Sequence, residues 1–259
     1  MSDIHDAAQR GYDAEAARYA SGRPEYPAAL QEWLRTELHL EPGRRAVDLG
    51  AGSGKFTALL AQTGVGLTAV EPVDAMREQL ARKLPAVHSL KGTAESMPLP
   101  DGSADAVVCA QAFHWFANEA TLTEIHRVLA PGGRLGLVWN VRDESEDWMA
   151  RVTEIITPYE GDAPRFYKGD WRRPLEGALG QALFGPLRCK VLRHSHVGPA
   201  SAVILDRFLS VSFIAALDAE EKLRVEERLR ALIHDHPALR GRDTVAAPYR
   251  TEAYYCERL

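Results

Sequence analysis

The sequence predicts a doubly wound α/β fold, in which helices cover both faces of a mostly parallel β-sheet. In the first half of the chain, short apolar runs alternate with helical spacing of apolar residues. A glycine-rich segment follows the first of these runs, and the run from Ala104 to Ala110 is almost continuously apolar, as in a strand buried on both faces. With 259 residues, 46% of them hydrophobic, the chain is long enough to bury a full core.

Short apolar runs along the chain mark the predicted strands. They cover Arg45 to Leu49, Leu67 to Val70, Ala104 to Ala110 and Arg134 to Trp139, with a weaker strand at Ala86 to Lys91. Polar–apolar alternation at Leu187 to Val197 and a run at Thr244 to Glu257 predict two late strands. Together these predict a seven-stranded sheet.

Between these strands, apolar residues recur at the spacing of a helix, which predicts helical connections. The repeats are Leu30, Trp33, Leu34 and Leu38; Phe56, Leu59 and Leu60; and Leu122, Ile125, Val128 and Leu129. Pro131-Gly132-Gly133 is predicted to end the third of these helices. Two further helices are expected around Ala202 to Leu209 and Asp218 to His234.

The organisation of the chain favours a single domain over residues 1–259, because no Gly/Ser linker or internal repeat divides it. Residues 1–40 are predicted to form a helical N-terminal cap and residues 41–140 a cofactor-binding core. Residues 141–186 are rich in Arg, Trp and Pro without a clean period, which predicts a lid-like insertion of irregular helices. Residues 187–259 supply the late strands and helices.

Composition narrows the possible partners. The net charge of −5 and the absence of a long basic run disfavour binding to a nucleic-acid backbone. We expect a cytoplasmic protein without membrane partners, because the sequence has neither a signal-like start nor about 18 uninterrupted apolar residues. Cys109, Cys189 and Cys256 are widely spaced and are expected to be reduced. The sequence does not indicate the oligomeric state.

The most informative segment covers residues 47–56, Val-Asp-Leu-Gly-Ala-Gly-Ser-Gly-Lys-Phe, where a strand ends and a helix begins. A P-loop is excluded at two positions, because Leu49 stands where its first glycine belongs and Phe56 follows the lysine. A dinucleotide-binding turn fails at one position, because Lys55 stands where its third glycine belongs. A nicotinamide-dependent oxidoreductase therefore remains the second hypothesis.

The pattern acidic-x-Gly-x-Gly-x-Gly from Asp48 resembles the first motif of class I methyltransferases. The stretch from Asp48 through Pro131-Gly132-Gly133 is similar to small-molecule methyltransferases of the ubiquinone-biosynthesis and trans-aconitate group. The N-terminal Tyr19…Arg23-Pro24-x-Tyr26-Pro27, the Ser210-x-Ser212-Phe213-Ile214 segment and Pro248-Tyr249-Arg250-Thr251 resemble one branch of that group. The resemblance implies a Rossmann-like sheet whose last strand is antiparallel, with S-adenosylmethionine as the cofactor.

The resemblance also implies a set of cofactor-binding residues. Asp48 would hold the ammonium of the amino-acid tail, and Glu71, 19 residues after Gly52, would accept both ribose hydroxyls. The expected set is Tyr19, Arg23, Asp48, Gly50, Ala51, Gly52, Gly54, Glu71, Pro72, Met76, Thr93, Ala94, Glu95, Ala110, Gln111 and Ala112. Structural alternatives stay open: a helix cap for Asp48, core packing for Met76, a plain loop for residues 93–95 and an N-terminal anchor for Tyr19 and Arg23.

The acceptor is expected beyond the carboxyl end of the fourth strand, where ligands of doubly wound sheets bind. His114 is the candidate catalytic base, with a substrate hydrogen-bond donor or a structural histidine as alternatives. Trp115, Phe116 and Trp139 are expected to form apolar walls, and Asn140 and Arg142 to face the same cleft. Arg165, Arg172 and Arg173 fit either an anionic acceptor or a solvated surface.

The segment from Asp48 to Gly54, together with Glu71, favours methyl transfer to a small molecule by in-line displacement. No metal is expected, because residues 110–116 offer no carboxylate. Nucleic-acid amino-methylation is disfavoured, because Gln111-Ala112-Phe113-His114 replaces the Asn/Asp-Pro-Pro-aromatic segment of that class. A non-catalytic cofactor-binding module is the third hypothesis, since a fold does not fix a function.

Overall fold

The computed structural model describes residues 23–259, and within them the sheet has seven strands. The strands are β1 (Arg45–Leu49), β2 (Gly66–Val70), β3 (His88–Leu90), β4 (Ala104–Ala110), β5 (Leu129–Arg142), β6 (Arg188–Gly198) and β7 (Val245–Glu257). Their spatial order is β3-β2-β1-β4-β5-β7-β6. Strands β1 to β5 pair in parallel, whereas β7 is antiparallel to both of its neighbours. The predicted fold class is confirmed.

Helices connect the strands. They are α1 (Leu30–Glu37), α2 (Lys55–Ala61), α3 (Asp74–Lys83), α4 (Glu119–Val128), α5 (Asp147–Ile156), α6 (Arg173–Glu176), α7 (Ala178–Leu183), α8 (Arg207–Leu209), α9 (Ser212–Ala215) and α10 (Ala219–Asp235). A π-helical turn, Ser201–Asp206, leads directly into α8. The helix predicted around Ala202 to Leu209 is thus present, with its first turns wound as a π-helix.

One sequence prediction was wrong at the start of β5. Helix α4 ends at Val128, and Leu129 already pairs with Ala104 of β4. Pro131-Gly132-Gly133 therefore lies within β5, where the pairing register shifts between Ala104 and Ala106, and does not end the helix. Because proline lacks the N–H that a sheet ladder needs, this segment is accommodated as an irregularity in the strand.

Both faces of the parallel sheet are buried, because alternate residues of each strand point to opposite sides. Ala46 of β1 and Val108 of β4 join a cluster with α1 and α2. Val47 of β1 and Cys109 of β4 join the opposite cluster, with α4. This double burial explains why β4 reads as a nearly continuous apolar run.

Residues 141–186 divide between two hydrophobic clusters. Helix α5 packs with the π-helical turn, α8, α9 and α10 in a cluster around Phe208 and Tyr249. Trp171 and Leu175 instead join the sheet-face cluster that contains Trp139. The segment therefore builds one wall of the core as well as a cap beside the sheet edge. In the part of the chain from residue 23 onward, no helix is long and apolar enough to cross a membrane.

Candidate functional site

The turn between β1 and α2 depends on glycines in the left-handed region. Gly50, Gly52 and Gly54 have φ angles of 72°, 56° and 85°, values that side-chain-bearing residues adopt only at a cost. A Cβ on Gly50 would lie 2.8 Å from Cβ of Ala112, whereas a Cβ on Gly52 would meet no atom within 4 Å. The first glycine thus permits close packing against the loop after β4, and the second keeps the space beside the turn open.

Glu71, at the end of β2, fixes this turn. Its Oε2 accepts a hydrogen bond from the backbone N–H of Gly52 at 2.8 Å, and its Oε1 accepts one from the N–H of Val73 at 2.9 Å. Burial raises the pKa of the carboxyl, while the two backbone hydrogen bonds oppose that rise. Because each carboxylate oxygen has a second lone pair, Glu71 keeps capacity for hydroxyl donors.

Asp48, in β1, is a fully buried carboxylate with one oxygen unused. Its Oδ2 accepts a hydrogen bond of 2.6 Å from the Thr57 hydroxyl, whereas Oδ1 has no partner within residues 23–259. Burial raises the pKa of Asp48 to about 7, and the Thr57 hydrogen bond opposes that rise. A buried acceptor of this kind is suited to a cationic ligand group. The Thr57 contact also means that Asp48 does not cap α2, whose N-cap residue is Gly54.

The segment before α1 lies across this turn. The Lys55 ammonium donates to the carbonyl oxygen of Arg23 and pairs with the Glu25 carboxylate at 2.8 Å. Tyr26 packs edge-on against Phe56, with ring centroids 4.9 Å apart. Lys55, which occupies the position of the missing third glycine, therefore ties the N-terminal segment over the turn.

The loop after β4 forms the opposite wall. Gln111 has a φ angle of 58°, a strained conformation for a residue with a side chain. Its backbone N–H donates to the Val138 carbonyl oxygen at 2.8 Å, and its side-chain amide donates to the Asn140 carbonyl oxygen at 3.2 Å. These contacts between β4 and β5 hold the strained residue in place.

His114 lies in the same loop and is half-buried. Its Nδ1 accepts a hydrogen bond of 3.1 Å from the indole N–H of Trp139, so the neutral ring carries its proton on Nε2. Burial lowers the pKa of His114 to about 3, and the positive charges of Arg165 and Arg23 lower it further. The imidazole is therefore neutral and weakly basic at physiological pH.

Two adjoining cavities open at the carboxyl ends of the parallel strands. The first contains the glycine turn, Asp48 and Glu71. The second, of about 560 Å³, extends from the loop after β4 to α5 and α9, a volume in the range of small-molecule sites. Both cavities are lined by Arg23, Gln111, Trp115, Asn140 and Arg207. This arrangement suits a reaction between two ligands.

Comparison with known proteins agrees with this geometry. A family model described as a methyltransferase domain matches residues 47–137. An uncharacterized methyltransferase-like protein of Schizosaccharomyces pombe is 35% identical over 252 residues, covering 95% of each chain. An uncharacterized methyltransferase of Mycobacterium tuberculosis is 36% identical over 240 residues, covering 93% of this chain and 92% of the relative. The chain belongs to the class I methyltransferase family.

A solved methyltransferase structure shares the fold. The phosphoethanolamine N-methyltransferase 2 of Haemonchus contortus superposes with a TM-score of 0.57 at 11% identity, covering 99% of this chain and 60% of that one. At this level of identity the similarity concerns the architecture alone. The resemblance inferred from the sequence motifs is thereby confirmed at the level of family and fold.

The first cavity of the methyltransferase gathers most of the residues expected to bind the cofactor. Those that line it are Arg23, Asp48, Gly50, Ala51, Gly52, Glu71, Pro72, Met76, Ala110, Gln111 and Ala112. Gly54 is not among the lining residues, because it is the N-cap residue of α2 and faces Leu80, which a Cβ would approach to 3.0 Å. Tyr19 lies outside the described residues.

The segment of residues 93–95 also stands apart from the lining of the first cavity. Thr93 and Ser96 bond each other through their backbones, and Ala94 is buried in the sheet-face cluster. The Glu95 carboxylate accepts a hydrogen bond of 3.0 Å from the Asn118 side chain. In this structure the segment is a tight turn packed on the sheet, and its expected contact with the cofactor stays a prediction.

The second cavity of the methyltransferase gathers the residues expected to contact the acceptor. His114, Trp115, Trp139, Asn140 and Arg142 line it. The three arginines of the insertion behave differently from one another. Arg165 lines the cavity, whereas Arg172 donates to the Tyr254 hydroxyl at 2.8 Å and exposed Arg173 pairs with Asp170.

Sequence reasoning missed Arg207, which lines both cavities from the start of α8. It is buried, with 7% of its surface exposed. The signal was available, because Arg207 interrupts the apolar series Val-Ile-Leu-Asp-Arg-Phe-Leu at residues 203–209. A charged residue on the buried side of an apolar helix needs either a partner or a ligand.

Proposed function

We propose that the protein transfers a methyl group from S-adenosylmethionine to a small-molecule acceptor. The observation that supports this most directly is the buried Asp48 carboxylate, whose Oδ1 has no partner among residues 23–259 and which lines the same cavity as Glu71. The ligand that completes this site must bring a cation to Asp48 and hydroxyl groups to Glu71. The amino-acid tail and the ribose of S-adenosylmethionine supply both.

The residues present fit this cofactor. The open space at Gly52 allows a ligand to approach the backbone of the turn. Arg23, in the segment tied down by Lys55, is positioned to meet the carboxylate of the cofactor tail, and Met76 and Pro72 line the apolar part of the cavity. The solved structure of the Haemonchus contortus neighbour is described as a complex with S-adenosylhomocysteine, which further supports this assignment.

When bound, S-adenosylmethionine supplies a methyl group on a positively charged sulfur, which is already a strong electrophile. The protein must then align the acceptor with that carbon and exclude water. Gln111 and Trp115, at the junction of the two cavities, are the residues we assign to this alignment. Trp139 and Trp115 close the acceptor side with apolar surface.

His114 is the proposed catalytic residue, acting as a hydrogen-bond donor to the acceptor through Nε2. Its Nδ1 is occupied by the Trp139 indole N–H, which fixes the tautomer. The pKa of about 3 makes the imidazole a weak proton acceptor. As a general base, His114 would serve only acceptors that give up a proton readily, whereas an acceptor that needs no deprotonation would use it only as a hydrogen-bond donor.

The proposal extends to the whole chain. We propose one methyltransferase domain over residues 1–259, active in the cytoplasm, with residues 141–186 closing the acceptor side. The net charge of −5 supports a small-molecule acceptor over a nucleic acid. Lys55 at the third glycine position disfavours a nicotinamide-dependent oxidoreductase.

Transfer of label from S-adenosylmethionine with a tritiated methyl group tests the proposal. Purified protein is incubated with a cell extract, which is then separated into small-molecule, protein and nucleic-acid fractions. Label is expected in the small-molecule fraction, with loss in Asp48→Asn and retention in Glu78→Gln, which changes an exposed residue of α3. Label confined to protein or nucleic acid would overturn the small-molecule acceptor.

A further inference from the structure

A chain of side-chain hydrogen bonds runs from the interior of the sheet to the segment before α1. Thr251 of β7 is fully buried and stands opposite Asn140 of β5 in the antiparallel ladder. Its hydroxyl donates a hydrogen bond of 2.6 Å to Oδ1 of Asn140. The side-chain nitrogen Nδ2 of Asn140 in turn donates one of 3.3 Å to the backbone carbonyl oxygen of Glu25. Directly opposite residues of neighbouring strands share one face of the sheet, so the first of these contacts follows from the register.

The donors and acceptors of this chain allow one orientation of the Asn140 amide. A backbone carbonyl oxygen can only accept, so the NH₂ group of Asn140 must face Glu25. Oδ1 of Asn140 then faces Thr251, whose hydroxyl must donate. Thr251 therefore fixes the amide orientation on which the bond to Glu25 depends.

Asn140 also holds the loop after β4. Its backbone carbonyl oxygen accepts a hydrogen bond of 3.2 Å from the side-chain amide of Gln111, the residue with the strained φ angle of 58°. Asn140 and Gln111 both line the first and the second cavity. One residue thus joins the N-terminal segment to the loop after β4 at the junction of the two cavities.

The segment of residues 23–26 forms one side of the first cavity, which Arg23, Pro24 and Tyr26 line. Lys55 of α2 restrains this segment through the Arg23 carbonyl oxygen and through the Glu25 carboxylate at 2.8 Å. The Glu25 side chain is 82% exposed, so this ion pair is open to solvent and to screening by salt. The bond from Asn140 instead ties the backbone of the segment to the buried interior of the sheet.

We propose that Thr251 is a positioning residue: acting through Asn140, it holds residues 23–26 over the first cavity and slows the escape of the bound cofactor. This inference rests on the proposed function, because it takes the ligand of the first cavity to be S-adenosylmethionine. Thr251 is not among the residues of the described chain that line either cavity. Its effect on the cofactor therefore passes through Asn140.

The dissociation rate of S-adenosylhomocysteine tests the proposal. The preformed complex is diluted in a stopped-flow instrument while tryptophan fluorescence is followed, because Trp115 lines the first cavity. Thr251→Val keeps the shape of the side chain without its hydroxyl and is expected to raise the rate roughly twofold to tenfold, the range for one neutral hydrogen bond. Thr251→Ser keeps the hydroxyl and is expected to dissociate at the rate of the unmodified protein.

Thr121→Val is the matched control for this measurement. Thr121 of α4 is fully buried, and its hydroxyl has no hydrogen-bond partner among residues 23–259. Its removal is expected to leave the dissociation rate unchanged. An unchanged rate in Thr251→Val, or equal acceleration in Thr251→Val and Thr251→Ser, would overturn the proposal.

A double-mutant cycle tests whether Thr251 acts through Asn140. Asn140→Ala removes the amide and is expected to raise the dissociation rate by itself, which also tests the proposal if Thr251→Val fails to fold. Adding Thr251→Val to Asn140→Ala is expected to produce no further acceleration, because residues in one hydrogen-bond chain are not additive. Additive effects of the two substitutions would contradict the proposed route.

Proteolysis of the ligand-free protein tests the same contact without the cofactor. A glutamate-specific endoprotease cleaves the bond after Glu25, whose carbonyl oxygen Asn140 holds. At limiting protease the rate follows the population of the opened segment. Thr251→Val is expected to be cut at this bond roughly twofold to tenfold faster than the unmodified protein, and Thr251→Ser and Thr121→Val at the unmodified rate. Equal cleavage rates in all four proteins would overturn the proposal.

The positioning role and the proposed function fail in different ways. If S-adenosylhomocysteine does not bind the unmodified protein, the proposed function is contradicted, whatever the proteolysis shows. If S-adenosylhomocysteine binds and leaves Thr251→Val no faster than the unmodified protein, only the positioning role of Thr251 is wrong.

Discussion

The Glu71 carboxylate is bonded to the backbone N–H of Gly52 at 2.8 Å, which joins the end of β2 to the turn after β1. The second oxygen of Glu71 holds the N–H of Val73, the residue before α3. One side chain therefore organises both sides of the first cavity. The residue that we propose to contact the ribose thus also shapes the first cavity.

The double role of Glu71 predicts that its removal lowers thermal stability and ligand affinity, which can be measured separately. Glu71→Ala is expected to lower the thermal midpoint, because two backbone N–H groups lose their acceptors at about 1–3 kcal/mol each. It is also expected to weaken S-adenosylhomocysteine binding by at least roughly tenfold, measured by calorimetry. Glu78→Gln is the control. Lower stability with unchanged affinity would mean that Glu71 is structural only.

Asp48 predicts a pH dependence of cofactor binding. Because its pKa is about 7 and only the ionised form attracts an ammonium, S-adenosylhomocysteine affinity is expected to increase from pH 6 to pH 8. Asp48→Asn is expected to bind weakly with little pH dependence over that range. Affinity that is flat with pH in the unmodified protein would contradict the assignment.

Asp48 also predicts the opposite trend for stability without ligand. Its folded pKa lies above the unfolded value, so the folded state binds more protons between about pH 4 and pH 7. The contribution of Asp48 to the free energy of unfolding therefore falls as pH rises through that window. Denaturant unfolding of the unmodified protein and of Asp48→Asn measures the difference, which disappears if the carboxyl titrates normally.

The glycine turn predicts that two similar substitutions differ in effect. Gly52→Ala places a methyl group into open space at a positive φ, so a loss of roughly 1–2 kcal/mol in stability is expected, with a much larger loss of S-adenosylhomocysteine affinity. Gly241→Ala imposes the same strain in open space on an exposed loop and is the control. Gly50→Ala is expected to destabilise more, because its methyl meets Ala112. Normal binding by Gly52→Ala would place the ligand elsewhere.

His114 predicts a fixed tautomer. Nitrogen NMR of the imidazole is expected to show a neutral ring protonated on Nε2 from pH 5 to pH 8, because burial holds the pKa at about 3. Trp139→Phe removes the donor to Nδ1 and is expected to produce a mixture of tautomers. Trp171→Phe is the control, since its indole N–H bonds the Phe166 carbonyl oxygen. Titration of His114 near pH 6 would restore the general-base role.

The sheet and the first cavity were largely predictable because their signals are local. β1 and β4 begin and end where their apolar runs do, at Arg45–Leu49 and Ala104–Ala110. The glycine turn and Glu71 follow from spacing along one βαβ unit. Parallel pairing then brings the ends of these strands together at one edge.

The second cavity was less predictable because it depends on long-range packing. Arg142 and Arg207 meet only through the cluster around Phe208, which no local pattern specifies. The sequence also does not predict how residues 141–186 divide between two hydrophobic clusters, since Trp171 and α5 have similar apolar character. The low pKa of His114 likewise arises from burial and from distant arginines.

The most direct measurement is calorimetric titration of the unmodified protein with S-adenosylhomocysteine and with reduced and oxidised nicotinamide dinucleotides. We predict saturable binding of S-adenosylhomocysteine alone, weakened in both Asp48→Ala and Glu71→Ala. Binding of a dinucleotide, or of none of these ligands, would contradict the assignment of the first cavity to S-adenosylmethionine.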